Sequence, residues 1–221
     1  AATSKAAAKA AIRLIKVDYE ILPHVTDVDE AMKPDAPVVQ EGRALENVPA
    51  GMSQNVTSHF EFGHGDLDAG FAKADKIIER TFKTAATHQG YIEPQACMAS
   101  LGTDGRGEVW CCTQGQYMVR ANCAEVLGIE ASQLRVISSE IGGGFGGKTT
   151  TFIEPVALAL SRKSGKPVKI VMTREEVLRA TGPTVSTSMD IKIGMTNEGR
   201  ITAARGELRY QGGAFPCGTV E

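Results

Sequence analysis

Apolar and polar residues alternate most regularly near the end of the chain. At positions 185–195 every second residue is apolar or threonine, and mostly polar side chains lie between them, which predicts a half-buried strand. The turn sequence NEG at 197–199 leads into a second such run at 201–210. The two runs therefore predict a long hairpin.

Shorter patterns predict the other elements of this part of the chain. Apolar runs predict further strands, and an Asp-Gly turn at 104–105 joins the second and third of them as a hairpin; these strands cover 77–84, 98–102, 108–113, 134–138 and 168–172. A short strand is also predicted at 59–62. Helical spacing predicts a helix from Asp66 to Ala74 and another at 116–127, which Gly128 ends.

The first third of the chain has weaker patterns. Residues 1–15 are rich in alanine and predict an amphipathic helix with Ser4 as its cap. Apolar and acidic residues alternate at 17–21, which predicts a half-buried strand. Residues 32–56 contain three prolines and two glycines without a sustained period, which predicts a linker. Strands with interspersed helices, without regular βαβ alternation, indicate an α+β fold with mixed sheets.

Composition narrows the possible functions. A chain of 221 residues with 42% hydrophobic content can form one or two domains. The net charge of −2 gives no positive surface potential that would attract a nucleic acid. No apolar run approaches the length needed to span a membrane, so a membrane partner is not expected. Five cysteines without C-x-x-C spacing indicate a reducing, cytoplasmic location, and we expect buried thiols that ligate no metal.

The candidate chemistry is concentrated at residues 142–149, GGGFGGKT, between a predicted strand and a predicted helix. This sequence matches the G-x-x-x-x-G-K-T phosphate loop of nucleotide-binding proteins. A phosphate-loop helix would begin at Lys148 and place Pro155 about two turns inside it, where proline is unfavourable. A helix that starts near Glu154 avoids this cost, and no magnesium-binding aspartate follows the strand at 168–172. Nucleotide binding stays the alternative interpretation.

Three motifs in sequence order suggest a different function. They are HQGYIEP at 88–94, WCCTQG at 110–115 and GGGFGGK at 142–148, with agreeing flanks at 65–75 and 164–176. Their order and spacing resemble the molybdenum-binding large subunit of the xanthine dehydrogenase and aldehyde oxidase family of molybdenum hydroxylases. The resemblance covers almost the whole chain. It implies the end of a small α/β, hammerhead-like domain at 1–31, a linker at 32–56, and the first part of a molybdopterin-binding domain at 57–221.

The resemblance also implies roles for individual residues. Gln114 matches the glutamine whose amide contacts an oxo ligand on molybdenum. Gly144, Phe145 and Gly146 match the loop that packs against the metal centre and donates backbone hydrogen bonds to it, and fixed N–H dipoles suit a dry anionic site. Phe145 and Thr149 are the implied substrate contacts. Xanthine-oxidising members have a glutamate at the position of Thr149, so its absence argues against purine oxidation.

Two polar residues near these motifs have structural interpretations. The resemblance implies that Glu93 is a scaffold residue near the pocket, and His88, without a second histidine nearby, is expected to be a hydrogen-bonded structural imidazole. The general base is expected beyond Glu221, so the chain alone is expected to be an inactive fragment.

The activity implied by the resemblance is oxidation of an N-heterocycle or aldehyde with oxygen from water. Electrons would pass to 2Fe-2S and FAD centres on other domains or subunits of a hetero-oligomer. The implied cofactor is a molybdenum–molybdopterin, which in some members is a cytosine dinucleotide. A non-catalytic structural module of the same fold is the remaining alternative.

Overall fold

The computed structural model of the chain describes residues 2–42 and 47–214, which divide into two compact units between Phe60 and Glu61. The first unit contains helices α1 (Lys5–Ile12) and α2 (Val28–Ala31). Ser4 caps α1 as predicted, because its Oγ accepts a hydrogen bond from the Ala7 N–H at 3.1 Å. The helix is shorter than the predicted range of 1–15, and none of its residues is buried.

The strand predicted at 17–21 is wrong. These residues are irregular, and the side chains of Val17, Tyr19 and Ile21 are 56%, 84% and 82% exposed. A strand needs a hydrogen-bonded neighbour, and within 2–42 and 47–214 no strand pairs with this segment. The predicted strand at 59–62 is also irregular, since four residues of alternation are too few to distinguish a strand from an extended connection.

The proline-rich stretch at 32–56 has its own hydrogen bonds where the structure describes it. Asn55 donates from its amide to the carbonyls of Ala31 and Pro37 at 3.2 and 3.0 Å, and its Oδ1 accepts from the Val39 N–H at 2.9 Å. The Ser53 hydroxyl also donates to Ala31 O at 2.7 Å. The division of the chain into 1–31, 32–56 and 57–221 stays a prediction.

The second unit contains two sheets and four helices within the described residues. Its elements are α3 (Leu67–Ala72), β1 (Lys76–Thr84), β2 (Ala96–Leu101), β3 (Gly107–Cys111), α4 (Gln116–Leu127), β4 (Leu134–Ser138), α5 (Glu154–Ser164), β5 (Val168–Val171), α6 (Arg174–Ala180), β6 (Thr187–Met195) and β7 (Ile201–Tyr210). The predicted bounds of α4, β4 and β7 are confirmed. The α+β class is confirmed as well: both sheets are open, and the four-stranded one is mixed.

The three-stranded sheet has the order β1-β6-β7, with antiparallel pairs. It contains the predicted hairpin. Helix α3 packs close to it, since a Cβ on Gly70 would lie 2.6 Å from Thr202 O. Asp66 caps α3 by accepting a hydrogen bond from the Ala69 N–H at 3.0 Å, as predicted.

The four-stranded sheet has the order β4-β3-β2-β5 and holds the core. Its β3 and β4 are parallel, and α4 connects them, while the other two pairs are antiparallel. Helices α4 and α5 pack on the sheet, and the core between them includes Val109 of β3, Val119 of α4 and Leu158 of α5, each fully buried. The carboxyl ends of β3 and β4 therefore lie at the same edge, so the loops that follow them meet there.

The cysteines of the described residues are free and buried, at positions 97, 111, 112 and 123. This confirms the expected burial of these four thiols, while Cys217 lies outside the described residues. Across 2–42 and 47–214, no cluster of three or more His, Cys, Asp and Glu side chains is placed to hold a metal ion. No helix in the same ranges has the length and apolar character needed to cross a bilayer.

Candidate functional site

The glycine-rich loop that follows β4 lies against the end of β3. The Gln114 N–H donates to Lys148 O at 2.9 Å, and the Thr113 hydroxyl donates to the same carbonyl at 3.1 Å. At the start of the loop, the Ser139 N–H donates to Cys111 O at 2.9 Å. The parallel pairing of β3 and β4 thus brings together two motifs that lie about thirty residues apart in sequence.

The side chain of Gln114 is held by the loop in one orientation. Its Oε1 accepts hydrogen bonds from the Gly146 N–H at 3.1 Å and the Lys148 N–H at 3.2 Å. Both partners are donors, so the carbonyl oxygen of the amide must face them. The Nε2 group of this exposed residue remains as a donor that points away from these two N–H groups.

Close packing explains several of the glycines. A Cβ on Gly144 would lie 2.3 Å from Gln114 Oε1, and one on Gly142 would lie 2.7 Å from the Cβ of Glu93. A Cβ on Gly147 would lie 2.8 Å from Cε1 of Tyr91, which is 1% exposed. The inner side of the loop therefore contacts the rest of the unit without room for a side chain.

Three consecutive N–H groups of the loop have no acceptor among the described residues, namely those of Gly143, Gly144 and Phe145. The other loop N–H groups at 142 and 146–148 donate to acceptors within the protein. Gly143 and Phe145 have φ values of 95° and 50°, in the left-handed region. Consecutive N–H groups in such a conformation form a concave donor surface that suits an anion.

These contacts place each loop residue that the sequence singled out. Gly144 is buried and Phe145 is 72% exposed, and their N–H groups are available. The N–H of Gly146 donates to Gln114, so within the protein it serves to hold Gln114. Thr149 is exposed, and its hydroxyl donates to Gly146 O at 3.1 Å.

Lys148 is buried in an ion pair. Its Nζ lies 2.7 Å from Glu93 Oε2 and 4.9 Å from the centre of the Tyr91 ring, and only 1% of its side chain is exposed. The same Glu93 oxygen accepts from the Gly142 N–H at 2.8 Å. Burial raises the pKa of Glu93, but the hydrogen bonds from Lys148 and Gly142 together outweigh this effect and hold the pKa below its usual value.

This ion pair removes the basis for the phosphate-loop interpretation. The lysine of a phosphate loop must reach the nucleotide phosphates, whereas Lys148 points into the protein. Helix α5 begins at Glu154 with Pro155 in its first turn, as the alternative helix start predicted. The loop thus has the sequence of a phosphate loop. Its lysine does not face a ligand, however, and the following helix begins six residues after that lysine rather than at it.

His88 is a hydrogen-bonded structural imidazole, as expected from the sequence. Its Nδ1 accepts from the Gly90 N–H at 3.0 Å, and its Nε2 lies 3.1 Å from Thr181 Oγ1. The Tyr91 hydroxyl donates to the same Thr181 oxygen at 3.1 Å, and the amide of Gln95 donates to the Tyr91 oxygen. This network supports Tyr91 below the loop.

Tyr91, Lys148 and Thr181 therefore support the site, and sequence reasoning assigned them no such role. The EP motif drew attention to Glu93 but gave no sign of its partner, 55 residues away. Thr181 follows α6 in a region without any motif. A lysine that directly follows a glycine loop is ordinarily expected to face a ligand, so its burial could be learned only from the structure.

Known proteins resemble this chain in sequence over most of its length. Residues 48–220 match the family model of the molybdopterin cofactor-binding domain. The chain is 31% identical over 240 residues to the probable hypoxanthine oxidase XdhD of Escherichia coli (strain K12), covering 97% of this chain and 25% of that protein. It is 33% identical over 211 residues to the carbon monoxide dehydrogenase large chain of Afipia carboxidovorans, covering 93% and 26%.

Solved structures give the same picture. The aldehyde oxidoreductase from Desulfovibrio gigas superposes with a TM-score of 0.80 at 25% identity, over 94% of this chain and 22% of that one. The reconstituted CO dehydrogenase from Oligotropha carboxidovorans superposes with a TM-score of 0.77 at 30% identity, over 92% and 26%. The chain thus spans about a quarter of the length of the relatives that it matches.

Proposed function

Because the chain belongs to the family of molybdopterin cofactor-binding domains, we propose that it forms one wall of the active site of a molybdenum hydroxylase. The observation that carries the proposal is the donor surface made by the Gln114 amide and three adjacent loop N–H groups. The relatives that share the fold are named as oxidoreductases of this family.

The donor surface fits an anionic group that bears oxygen. Gly144 is buried, and a buried N–H without an acceptor is unfavourable unless a ligand or water accepts from it. The free N–H groups of Gly143 and Phe145 flank it, and Nε2 of Gln114 is a further donor that the loop leaves free. All four groups donate, and none carries a net charge, which suits an anion in a site that excludes water.

In this proposal each group of the chain has a separate task. Gln114 Nε2 donates a hydrogen bond to an oxygen of the cofactor, and the N–H groups of Gly144 and Phe145 orient the cofactor by their dipoles. When it is bound, the molybdenum–molybdopterin supplies the redox and oxygen-transfer chemistry. The ring of Phe145 is 72% exposed and lies beside Gly143, where it would contact the substrate and help to exclude water. Gly146 supports the site by holding Gln114.

The proposed substrate is an N-heterocycle or an aldehyde, hydroxylated with oxygen from water. Thr149 gives the loop an uncharged polar group, whose hydroxyl donates to Gly146 O and keeps its lone pairs for a substrate donor. The names of the relatives span hypoxanthine, nicotinate, aldehyde and carbon monoxide as the compounds on which those proteins act. For this chain we favour a substrate other than a purine, since no carboxylate stands at position 149.

The proposal includes partners and a location. In the proposal, 2Fe-2S and FAD centres on other domains or subunits would accept the electrons, the assembly is a hetero-oligomer, and its location is the cytoplasm. The cofactor form is molybdopterin or its cytosine dinucleotide. Two relatives are named as large subunits or chains, which supports an assembly of several chains.

The test removes the Gln114 donor in the intact protein that contains this chain. Gln114→Ala should lower kcat by up to about 10²–10³-fold, the scale for loss of one oxyanion donor. The measurement is kcat per bound molybdenum atom, with the metal content determined by elemental analysis. A value within about twofold of the parent, less than a typical hydrogen bond contributes, would contradict the proposal.

A second variant separates the donor from the scaffold. Gln114→Glu keeps an oxygen that accepts from the N–H groups of Gly146 and Lys148, but it has no amide donor. We expect this variant to keep the conformation of the loop and still to have a lower kcat than the parent. If Gln114→Glu retained the parental kcat at full molybdenum content, the amide donor would have no part in the reaction.

A further inference from the structure

We propose that Glu93 and Lys148 are positioning residues that fix the direction of the Gln114 amide through the backbone of the glycine loop. This inference rests on the proposed function, because it assigns the pair a role toward the same donor surface. The side chains of the two residues bind each other and are not among the groups of the donor surface.

One oxygen of Glu93 joins the two ends of the loop. Glu93 Oε2 accepts from the Gly142 N–H at 2.8 Å and from Lys148 Nζ at 2.7 Å. The Glu93 N–H also donates to Gly142 O at 3.2 Å. The start and the end of residues 142–148 are thereby held at a fixed separation, which the five glycines between them could not maintain on their own.

Lys148 links this clamp to Gln114. Its backbone N–H donates to Gln114 Oε1 at 3.2 Å, and its carbonyl accepts from the Gln114 N–H at 2.9 Å. Its side chain is the part that reaches Glu93. A displacement of the Lys148 backbone would therefore turn the Gln114 amide, and its Nε2 with it.

The burial of Lys148, whose partner Glu93 is 32% exposed, indicates that the pair fixes geometry. The side chain of Lys148 is 1% exposed, and a buried ion pair is often replaced by apolar groups without loss of stability. Methionine at this position could fill the space against Tyr91 but could not hold Glu93. The ion pair therefore contributes geometry that an apolar side chain of similar length cannot supply.

The experiment compares Lys148→Met and Glu93→Gln, each with and without Gln114→Ala, in the intact protein. Lys192→Met is the matched control, because Lys192 forms a surface ion pair with Glu79 at 3.4 Å, away from the loop. Amide hydrogen exchange, followed by mass spectrometry over residues 139–152, reports on the loop independently of activity. The second readout is kcat per bound molybdenum atom.

We expect loop exchange to become about fivefold faster in both variants, the scale of one lost hydrogen bond. With Gln114 present, kcat per molybdenum should fall by roughly 10-fold to 100-fold, the scale of a misplacement of about 1 Å. With Gln114→Ala, neither substitution should lower kcat further, because both act through Gln114. The Lys192→Met control should leave both readouts at the parental values.

Two results would overturn the inference. One is parental loop exchange and parental kcat in both variants; the other is an equal loss of kcat with and without Gln114, which would indicate a general structural effect. A failure of the proposed function is distinguishable, because Gln114→Ala alone would then retain the parental kcat. Hydrogen exchange would in that case still decide whether the pair holds the loop.

Discussion

At Gly144 the backbone passes so close to the Gln114 side chain that any side chain there would have to displace Gln114. We therefore expect Gly144→Ala to displace Gln114, since the new Cβ would lie 2.3 Å from its Oε1. The cost should be about 1–2 kcal/mol of unfolding free energy, the sum of two neutral hydrogen bonds. Urea unfolding measures it, and Gly63→Ala is the control, because nothing lies within 4 Å of a Cβ there.

The displacement also predicts a specific coupling. In a Gln114→Ala background the clash is gone, so Gly144→Ala should be nearly neutral. The two substitutions should thus be strongly non-additive in stability. Additive losses would mean that Gly144 is constrained by something other than Gln114.

Glu93 gives a prediction about pH. Its pKa is lowered in the folded protein by Lys148 and Gly142 despite its burial, so its contribution to stability is complete above the unfolded pKa of about 4.3. That contribution is lost as the pH falls through the lower folded pKa. Cys112 is the other titratable group that faces this carboxylate.

The measurement is thermal unfolding of the parent and of Glu93→Gln across this range. At pH 7 the variant should unfold at a lower temperature, because Lys148 is left buried without its counter-charge. The difference should begin to shrink as the pH falls below about 4.3 and should vanish below the lower folded pKa, where the parent carboxylate is also protonated in the folded protein. A difference that stays constant down to pH 3 would show that the charge of Glu93 does not stabilise the fold.

Sequence reasoning at this scale found the residues that carry a motif and, through the resemblance, the scaffold role of Glu93, but it missed the partner of Glu93. Gln114 and Phe145 stand in recognisable strings, and their places at a strand end and in a glycine loop followed from the pattern. Lys148 and Glu93 lie in the same strings, but their pairing depends on how two distant segments fold together. The order of residues in the sequence does not give the distance between these two side chains in the folded protein.

At the scale of the elements, the four-stranded sheet and the helices α4 and α5 bury three thiols away from solvent. Burial, with the nearby charge of Glu154 as a smaller cause, raises the pKa of Cys97, Cys111 and Cys123 to about 12. At pH 8 roughly one thiol in 10⁴ would then be ionised, and the thiolate is the reactive form. We expect iodoacetamide to leave all three unmodified in the folded protein.

Mass spectrometry of the tryptic peptides checks this expectation. The control is the same reaction in guanidinium chloride, where all three cysteines should be modified quickly because unfolding restores an ordinary pKa. Rapid modification of any of the three without denaturant would mean that α4 or α5 separates from the sheet far more often than this packing implies.

A strand predicted from alternation was confirmed where the neighbouring sequence also supplies the strand that pairs with it. Strand β7 follows β6 through a short turn, so each strand supplies the neighbour that the other needs. The segment at 17–21 has the same alternation but no partner strand among the described residues, and alternation alone did not make it a strand.

Alternation also left open which side of a strand is covered. On the three-stranded sheet the apolar side chains of Ile78, Phe82 and Leu208 are about half exposed, while Ser188 on the opposite face is fully buried. The sequence pattern would have placed the apolar side inward. Which face is buried depends on what packs against it, and an alternating pattern does not contain that information.

At the scale of the whole molecule, the donors that we propose to bind the cofactor are few. The Gln114 amide and the free N–H groups come from two neighbouring loops, and the Phe145 ring is 72% exposed. The chain spans about a quarter of the length of its relatives. A large cofactor loses translational freedom on binding, and a few neutral hydrogen bonds contribute too little to offset that loss.

We therefore expect the 221-residue chain, produced by itself in cells that make the cofactor, to purify with well below one molybdenum atom per chain. Elemental analysis after gel filtration measures this, and the intact protein, prepared in parallel, is the control that should retain the metal. Because the donor surface does not depend on the cofactor, the isolated chain should still show the hydrogen-exchange pattern of the loop seen in the cofactor-free intact protein. One molybdenum atom per isolated chain, retained through gel filtration, would mean that this one wall binds the cofactor without the rest of the protein.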